Sequence, residues 1–193
     1  MNPCRAAAWG QCLIAAVLKR DTILGRSKHR EIILMRRITA LLHTKDDERR
    51  IGRCLETLYP CDEIVIVDHG SSDQTLRVAR EYGAMILAGK NGTAAGEYVQ
   101  AASAEWIFCL DPRESLTEAL AASLFDWKSQ PFSGDDAAFG VRLREETSDG
   151  WVQNTTAHTR LVPSNWKDWE GLFPGKRPPA LALEGELLRF LFP

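Results

Sequence analysis

The most constraining feature of this chain is the run Glu63-Ile-Val-Ile-Val-Asp68, four consecutive β-branched residues closed by a carboxylate. With no polar side chain in alternate positions, such a run suits a strand buried on both faces, as at the centre of a parallel sheet. Parallel strands need crossover helices, so the flanking segments should alternate between strand and helix. They do. Ile38–His43 reads as a short buried strand, and Thr44-Lys-Asp-Asp-Glu48 as a polar turn able to cap a helix. From Asp47 onward Ile51, Cys54, Leu55 and Leu58 recur at helical spacing, and Tyr59-Pro60 ends that helix. After the central run, His69-Gly-Ser-Ser-Asp73 has the residues of a tight turn, Ser72 or Asp73 is placed to cap a helix Gln74–Tyr82, and Gly83 closes it. A third strand Ala84–Ala88, an Ala-rich helix ending near Ser103 and a fourth strand Glu105–Asp111 complete the alternation. This pattern predicts a doubly wound sheet with right-handed crossovers. Ligands bind such sheets beyond the carboxyl ends of the strands, where Thr44, Asp68 and Asp111 fall.

The second half reads differently. Ser115–Trp127 is a predicted helix and the segment from Pro131 a loop. Ala137–Arg144 and Trp151–Val162 are predicted as an antiparallel pair around Thr147-Ser-Asp-Gly150. The remainder, with Pro163, Pro174, Pro178, Pro179 and Pro193, is expected to be irregular except for a short helix Leu183–Leu191. The fold class is therefore α/β, Rossmann-like, with a mixed, mainly parallel sheet. A length of 193 residues with 45% hydrophobic content supports one core rather than two.

Residues 1–37 carry eight Lys/Arg against Asp21 and Glu31, so the formal net charge of -2 hides a basic leader and an acidic remainder. We divide the chain into a leader, residues 1–36, that need not belong to the fold, and a domain, residues 37–193. An acidic domain lacks the basic face that nucleic acid requires. Its five scattered cysteines form no C-x-x-C pair and its histidines are dispersed; a reducing compartment is expected and zinc is not indicated. The apolar stretch Ala6–Leu18 is short for a bilayer span and runs into Lys19-Arg20 without a small-residue cleavage site. It suits an interfacial helix or an extension of the reading frame, since Met35 stands just before the first strand.

Three blocks carry a resemblance. Ile38-Thr-Ala-Leu-Leu-His-Thr-Lys-Asp-Asp-Glu48 is similar to an opening strand and Thr-x-Asn-Glu-Glu turn. Asp62-Glu-Ile-Val-Ile-Val-Asp-His-Gly-Ser-Ser-Asp-Gln-Thr75 is close to an Asp-Glu-Ile-Val-Val-Val-Asp-x-Gly-Ser-x-Asp-x-Thr signature. Lys90-Asn91 with Glu105-Trp-Ile-Phe-Cys-Leu-Asp111 resembles a third block. Together, over roughly residues 37–125, they resemble the family 2 glycosyltransferases of GT-A fold, particularly the bacterial branch that builds cell-surface polysaccharide and lipopolysaccharide cores. The resemblance implies transfer of a sugar, with inversion, from a nucleotide-diphosphate donor such as a UDP-sugar to a cell-envelope glycan or lipid-linked acceptor. It further implies a place in the cytoplasm or at the inner face of the cytoplasmic membrane, with peripheral membrane association. Carried over residue by residue, Thr44 and Asp47 would line the nucleoside pocket, Asp68 would accept a hydrogen bond from the base, and Lys90 and Asn91 would lie near the diphosphate. The local alternative for Asp68 is to cap its own loop, and for Lys90 to be a solvated surface charge.

The family's metal motif is Asp-x-Asp, whose carboxylates hold Mg²⁺ or Mn²⁺ against the diphosphate; here the stretch reads Asp111-Pro112-Arg113-Glu114. Asp111 remains as a metal ligand, but Arg113 removes the second anionic ligand and adds a repulsive neighbour. Glu114 is the one acid near enough to substitute. Three readings stay open: Arg113 neutralises the diphosphate in place of a metal, the chain is a catalytically inactive nucleotide-binding or interaction module, or Arg113 points outward from a plain helix start. No motif selects a general base among Glu145, Glu146, Asp168 and Glu170, and His158 before Thr159-Arg160-Leu161 suits a structural role. Trp166, Trp169 and Phe173 could wall an acceptor site or pack in a core. A nucleotidylyltransferase would need a Gly-rich basic loop after the first strand, which Thr44-Lys-Asp-Asp-Glu48 is not.

Overall fold

Glu63–Asp68 is the second strand, β2, of a computed structural model that describes residues 35–90, 92–130, 138–175 and 181–192. The leader residues 1–34, Asn91 and the loop from Pro131 lie outside the described residues. β2 pairs in parallel with β1 (Ile38–Thr44), which pairs in parallel with β4 (Trp106–Leu110), while β3 (Met85–Ala88) adds to the far side of β2. The intervening helices are α1 (Ile51–Glu56), α2 (Thr75–Glu81) and α3 (Ala95–Tyr98), the last extended by a single 3₁₀ turn, Val99–Ala101. β1, β2 and β4 are largely apolar because both of their faces are covered, whereas the edge strand β3 is partly exposed. Ala40, Leu42, Ile66 and Phe108 pack with Ile51, Leu58, Leu120 and Leu124 on one face; Leu41, Val65, Val67, Ile107 and Cys109 pack with Ala95, Tyr98 and Val162 on the other.

β5 (Glu114–Leu116) follows β4, and the helix expected from Ser115 starts only at α4 (Glu118–Ser129), capped by the Thr117 hydroxyl, which accepts from Leu120 N. The two predicted β segments are three strands. β6 (Phe139–Thr147) and β7 (Gly150–Gln153) form the hairpin, and β8 (His158–Pro163) runs antiparallel to both β6 and β4, joining the two halves of the sheet. A small hairpin of β9 (Trp169–Glu170) and β10 (Phe173–Pro174) follows. The predicted helix Leu183–Leu191 is instead β11 (Leu181–Arg189), parallel to β6 and antiparallel to β5. The sheet order is β3-β2-β1-β4-β8-β6-β11-β5, with β7 beside β6, so the mixed α/β architecture is present, with four parallel strands, β3-β2-β1-β4, together at one end and a further parallel pair, β6 and β11, beyond β8.

Two local predictions resolve into specific bonds. The Asp73 carboxylate, not Ser72, receives Thr75 N and Oγ1 at the start of α2. Gly83, at φ +72°, ends α2 with its N–H on Arg80 O and the next N–H, from Ala84, on Ala79 O, the paired bonds of a Schellman ending.

Candidate functional site

The carboxyl ends of β1, β2 and β4 border a cavity of about 540 Å³ lined by His43, Thr44, Lys45, Asp47, Arg50, His69, Asp111, Pro112, Arg113, Leu172 and Leu191. Of the residues singled out from sequence, Thr44, Asp47, Asp111 and Arg113 therefore come together. The turn after β1 fixes the first two: Thr44 Oγ1 and Lys45 N both donate to Asp47 Oδ2, while Asp47 N donates to Thr75 Oγ1. Asp68 ends β2 directly beside Thr44, and its carboxylate accepts from Gly70 N, Ser71 N and the Ser71 hydroxyl. In this state it serves the loop that follows it and is not among the side chains bordering the cavity. Lys90 is exposed, and its N–H donates to the Tyr98 hydroxyl.

The loop after β4 decides the electrostatics. Arg113 grips Asp111 with its planar fork, Nε to Oδ1 and Nη2 to Oδ2, each at 2.9 Å, and its backbone N–H adds a third bond to Oδ1. Burial pushes the Asp111 carboxyl up, but the bonds and charge of Arg113 outweigh it and hold the group below the usual carboxylate range; the same bonds push the guanidinium above its usual value. Arg113 thus folds back over the loop instead of pointing outward from a helix start. Glu114 is wholly buried: Oε1 accepts from Arg160 Nη2 and Arg189 Nη2, both at 2.8 Å, and Oε2 accepts from Asp111 N. It is committed to two arginines and cannot stand in as a metal ligand. The residues present do not fit a divalent cation, since both oxygens of Asp111 face a guanidinium and no group of three or more His, Cys, Asp or Glu among the described residues is arranged to hold a metal.

Sequence reasoning passed over four polar members of this cavity: Lys45, Arg50, His43 and His69. Lys45, Arg50 and Arg113 face two carboxylates, Asp47 and Asp111, so the lining carries a positive excess. His43 Nδ1 and His69 Nε2 lie 3.0 Å apart with the rings stacked, and Tyr98 meets the His43 ring edge-on. The available signal was position: His43 is the last residue but one of β1 and His69 the first after β2.

A second cavity, of about 550 Å³, lies among Leu143, His158, Thr159, Arg160, Glu170, Phe173 and Arg189. Burial, then the charges of Arg160 and Arg189, hold His158 below its ordinary range. Phe173 lies under the Arg160 guanidinium at 4.2 Å. Trp166 and Trp169 pack against the second core, with their indole N–H groups on Asp168 O and Trp166 O. Glu145 pairs with Arg189, and Glu146 accepts from Leu191 N and Phe192 N.

No family model matches the chain. It is 32% identical over 123 residues, 61% of this chain and 30% of the relative, to a TPR repeat-containing protein of Synechococcus elongatus. It is 29% identical over 94 residues, 45% of this chain and 31% of the relative, to an uncharacterized glycosyltransferase of Rickettsia typhi. The chain therefore spans less than a third of the length of these curated relatives. Among solved structures it is similar to glucosyl-3-phosphoglycerate synthase from Mycobacterium tuberculosis in complex with Mn²⁺ and UDP, with a TM-score of 0.42, 18% identity, and coverage of 57% of this chain and 43% of that one.

Proposed function

We propose that residues 37–193 form the donor-binding domain of a glycosyltransferase of the family 2, GT-A type, acting on a UDP-sugar and a cell-envelope glycan or lipid-linked acceptor with inversion. The observation that carries this reading is the cavity at the carboxyl ends of β1 and β4, where Thr44 and Asp47 face Asp111 and Arg113 across a cationic lining. The similarity to proteins named glycosyltransferases supports it. In this reading Arg113, helped by Lys45 and Arg50, neutralises the leaving diphosphate, the work a divalent cation does in an Asp-x-Asp site. Asp68 turns part of its carboxylate from the loop to the base, and Lys90 and Asn91 approach the diphosphate. In this reading the domain lies in the cytoplasm or, peripherally, at the inner face of the cytoplasmic membrane; no helix among the described residues is long and apolar enough to cross a membrane.

One observation favours a second reading, an inactive nucleotide-binding or interaction module: every acid of the Asp111–Glu114 stretch is already held by an arginine. Calorimetric titration of the full chain with UDP and UDP- and GDP-sugars, with and without Mn²⁺, separates the two. Metal-independent binding that is lost in Asp68→Ala and weakened about tenfold or more in Arg113→Met, with slow donor hydrolysis, is the expected result. Binding without hydrolysis or transfer selects the inactive module, and no binding at all removes the donor site.

A further inference from the structure

The donor cavity contains a pair of groups that the transfer reading does not use. His43, 9% exposed, and half-buried His69 share a 3.0 Å nitrogen-to-nitrogen contact, and His43 Nε2 is buried with no partner. His69 is held from its other side by the backbone of Gly89, where a Cβ would stand 2.6 Å from His69 Nδ1 and 2.8 Å from its Cε1. The two rings are therefore fixed in register, and a hydrogen bond between two imidazoles needs a proton on one nitrogen and a lone pair on the other. The contact forms when His69 carries a proton on Nε2 and donates to Nδ1 of a neutral His43, and it survives the addition of a second proton at His69 Nδ1. Burial, followed by the charge of His69, holds His43 down to about 4, so it stays the acceptor.

We propose that a nucleoside diphosphate enters this cavity together with one proton, which His69 takes up while His43 holds its ring as a fixed hydrogen-bond acceptor. The inference rests on the donor-site reading above and adds a regulation to it: the ligand recognised is an anion, and its affinity follows pH. The groups around the pair are Lys45 and Asp47 from the turn after β1, Arg50 before α1, Asp111 and Arg113 from the loop after β4, Tyr98 from α3, and the Asp68 carboxylate, which is engaged by its own loop. The carboxylates Asp47 and Asp111 already face Arg50 and Arg113. The negative charge that draws the proton is thus supplied by the incoming diphosphate, and an imidazole is the side chain whose ordinary titration lies between about pH 5 and pH 8.

The probe is UDP-glucose, whose diphosphate diester does not itself titrate in this range, added to the full chain in buffers of differing ionisation enthalpy. Up to one proton should be taken up per nucleotide, with affinity falling by at most about tenfold per pH unit as pH rises. His69→Asn, which keeps a donor toward His43, should abolish both the uptake and the pH dependence; His43→Gln should reduce them, with its fold checked by circular dichroism. Binding with no proton uptake, or with uptake unchanged in His69→Asn, overturns this inference and leaves the donor site standing. Failure of UDP-glucose, UDP and the other UDP- and GDP-sugars alike to bind at any pH in the range removes the donor reading and this inference together.

Discussion

Arg113 and Glu114 are adjacent in sequence and opposite in fate. Arg113 stays at the cavity rim with 43% of its side chain exposed, whereas Glu114 turns inward and joins β5 to β8 through Arg160 and to β11 through Arg189. A buried carboxylate serving two guanidiniums and a backbone N–H leaves all of them uncompensated when its charge is removed. Glu114→Gln is therefore expected to lower stability by about 3–5 kcal/mol, read as a shifted midpoint in urea denaturation. The acids that open the β2 signature prove to be fasteners: Asp62 accepts from Ile38 N and the buried Lys128, and Glu63 from Thr39 Oγ1 and Ser103 N. His43 gives a pH prediction. Its folded value, about 4, lies below the ordinary 6.5, so the unfolded chain binds the extra proton between the two. The stability linked to His43 is complete above about pH 6.5 and is lost as pH falls through 4, by roughly 3 kcal/mol in all. Chemical denaturation across that range should show the slope in the parent chain and a flatter curve in His43→Gln.

Among the elements, β11 departs most from expectation. Leu183, Leu187 and Leu191 are four apart, a spacing that places them on one face of a helix and equally on one face of a strand. The arbiter is Gly185, at φ +89° beside the register shift between Ala182 and Glu186. There the strand passes so close to α4 that a Cβ would stand 2.3 Å from Leu120 N. The bulge lets Glu186 O accept from Thr117 N and its hydroxyl, tying β11 to the cap of α4. Gly185→Ala combines backbone strain with a clash against main chain and should cost about 2–4 kcal/mol in urea unfolding. Gly171→Ala, at φ +63° with open space around it, should cost only about 1–2 kcal/mol. A cost at Gly185 no larger than at Gly171 would show that β11 does not pack here as described.

For the molecule as a whole, β8 is the seam between the parallel block β3-β2-β1-β4 and a mixed remainder, in which β11 pairs in parallel with β6 and antiparallel with β5. A chain truncated after Gly175 loses β11, the partner strand of β5 and the Arg189 contact to Glu114. It is expected to lose cooperative unfolding by circular dichroism, because Leu116, Leu120 and Leu124 lose their Leu183 and Leu187 neighbours in the core. The parallel strands were legible in the sequence because burial on both faces leaves an unbroken apolar run, and the carboxyl-edge placement of Thr44, Asp68 and Asp111 followed from the alternation, whereas Asp47 and Arg113 were singled out only through the resemblance. Local chemistry also settled the ends of α2, where Asp73 and Gly83 act through neighbours in the chain. What the tertiary structure decided were the matters set by distant partners. Arg160 and Arg189, 46 and 75 residues from Glu114, make that acid a core residue instead of a metal ligand. The close approach of α4 makes Leu181–Arg189 a bulged strand, and the parallel register of β1 and β2 brings His43 against His69. Periodicity records which side of an element is apolar, but the identity of the group waiting on that side comes only from the fold.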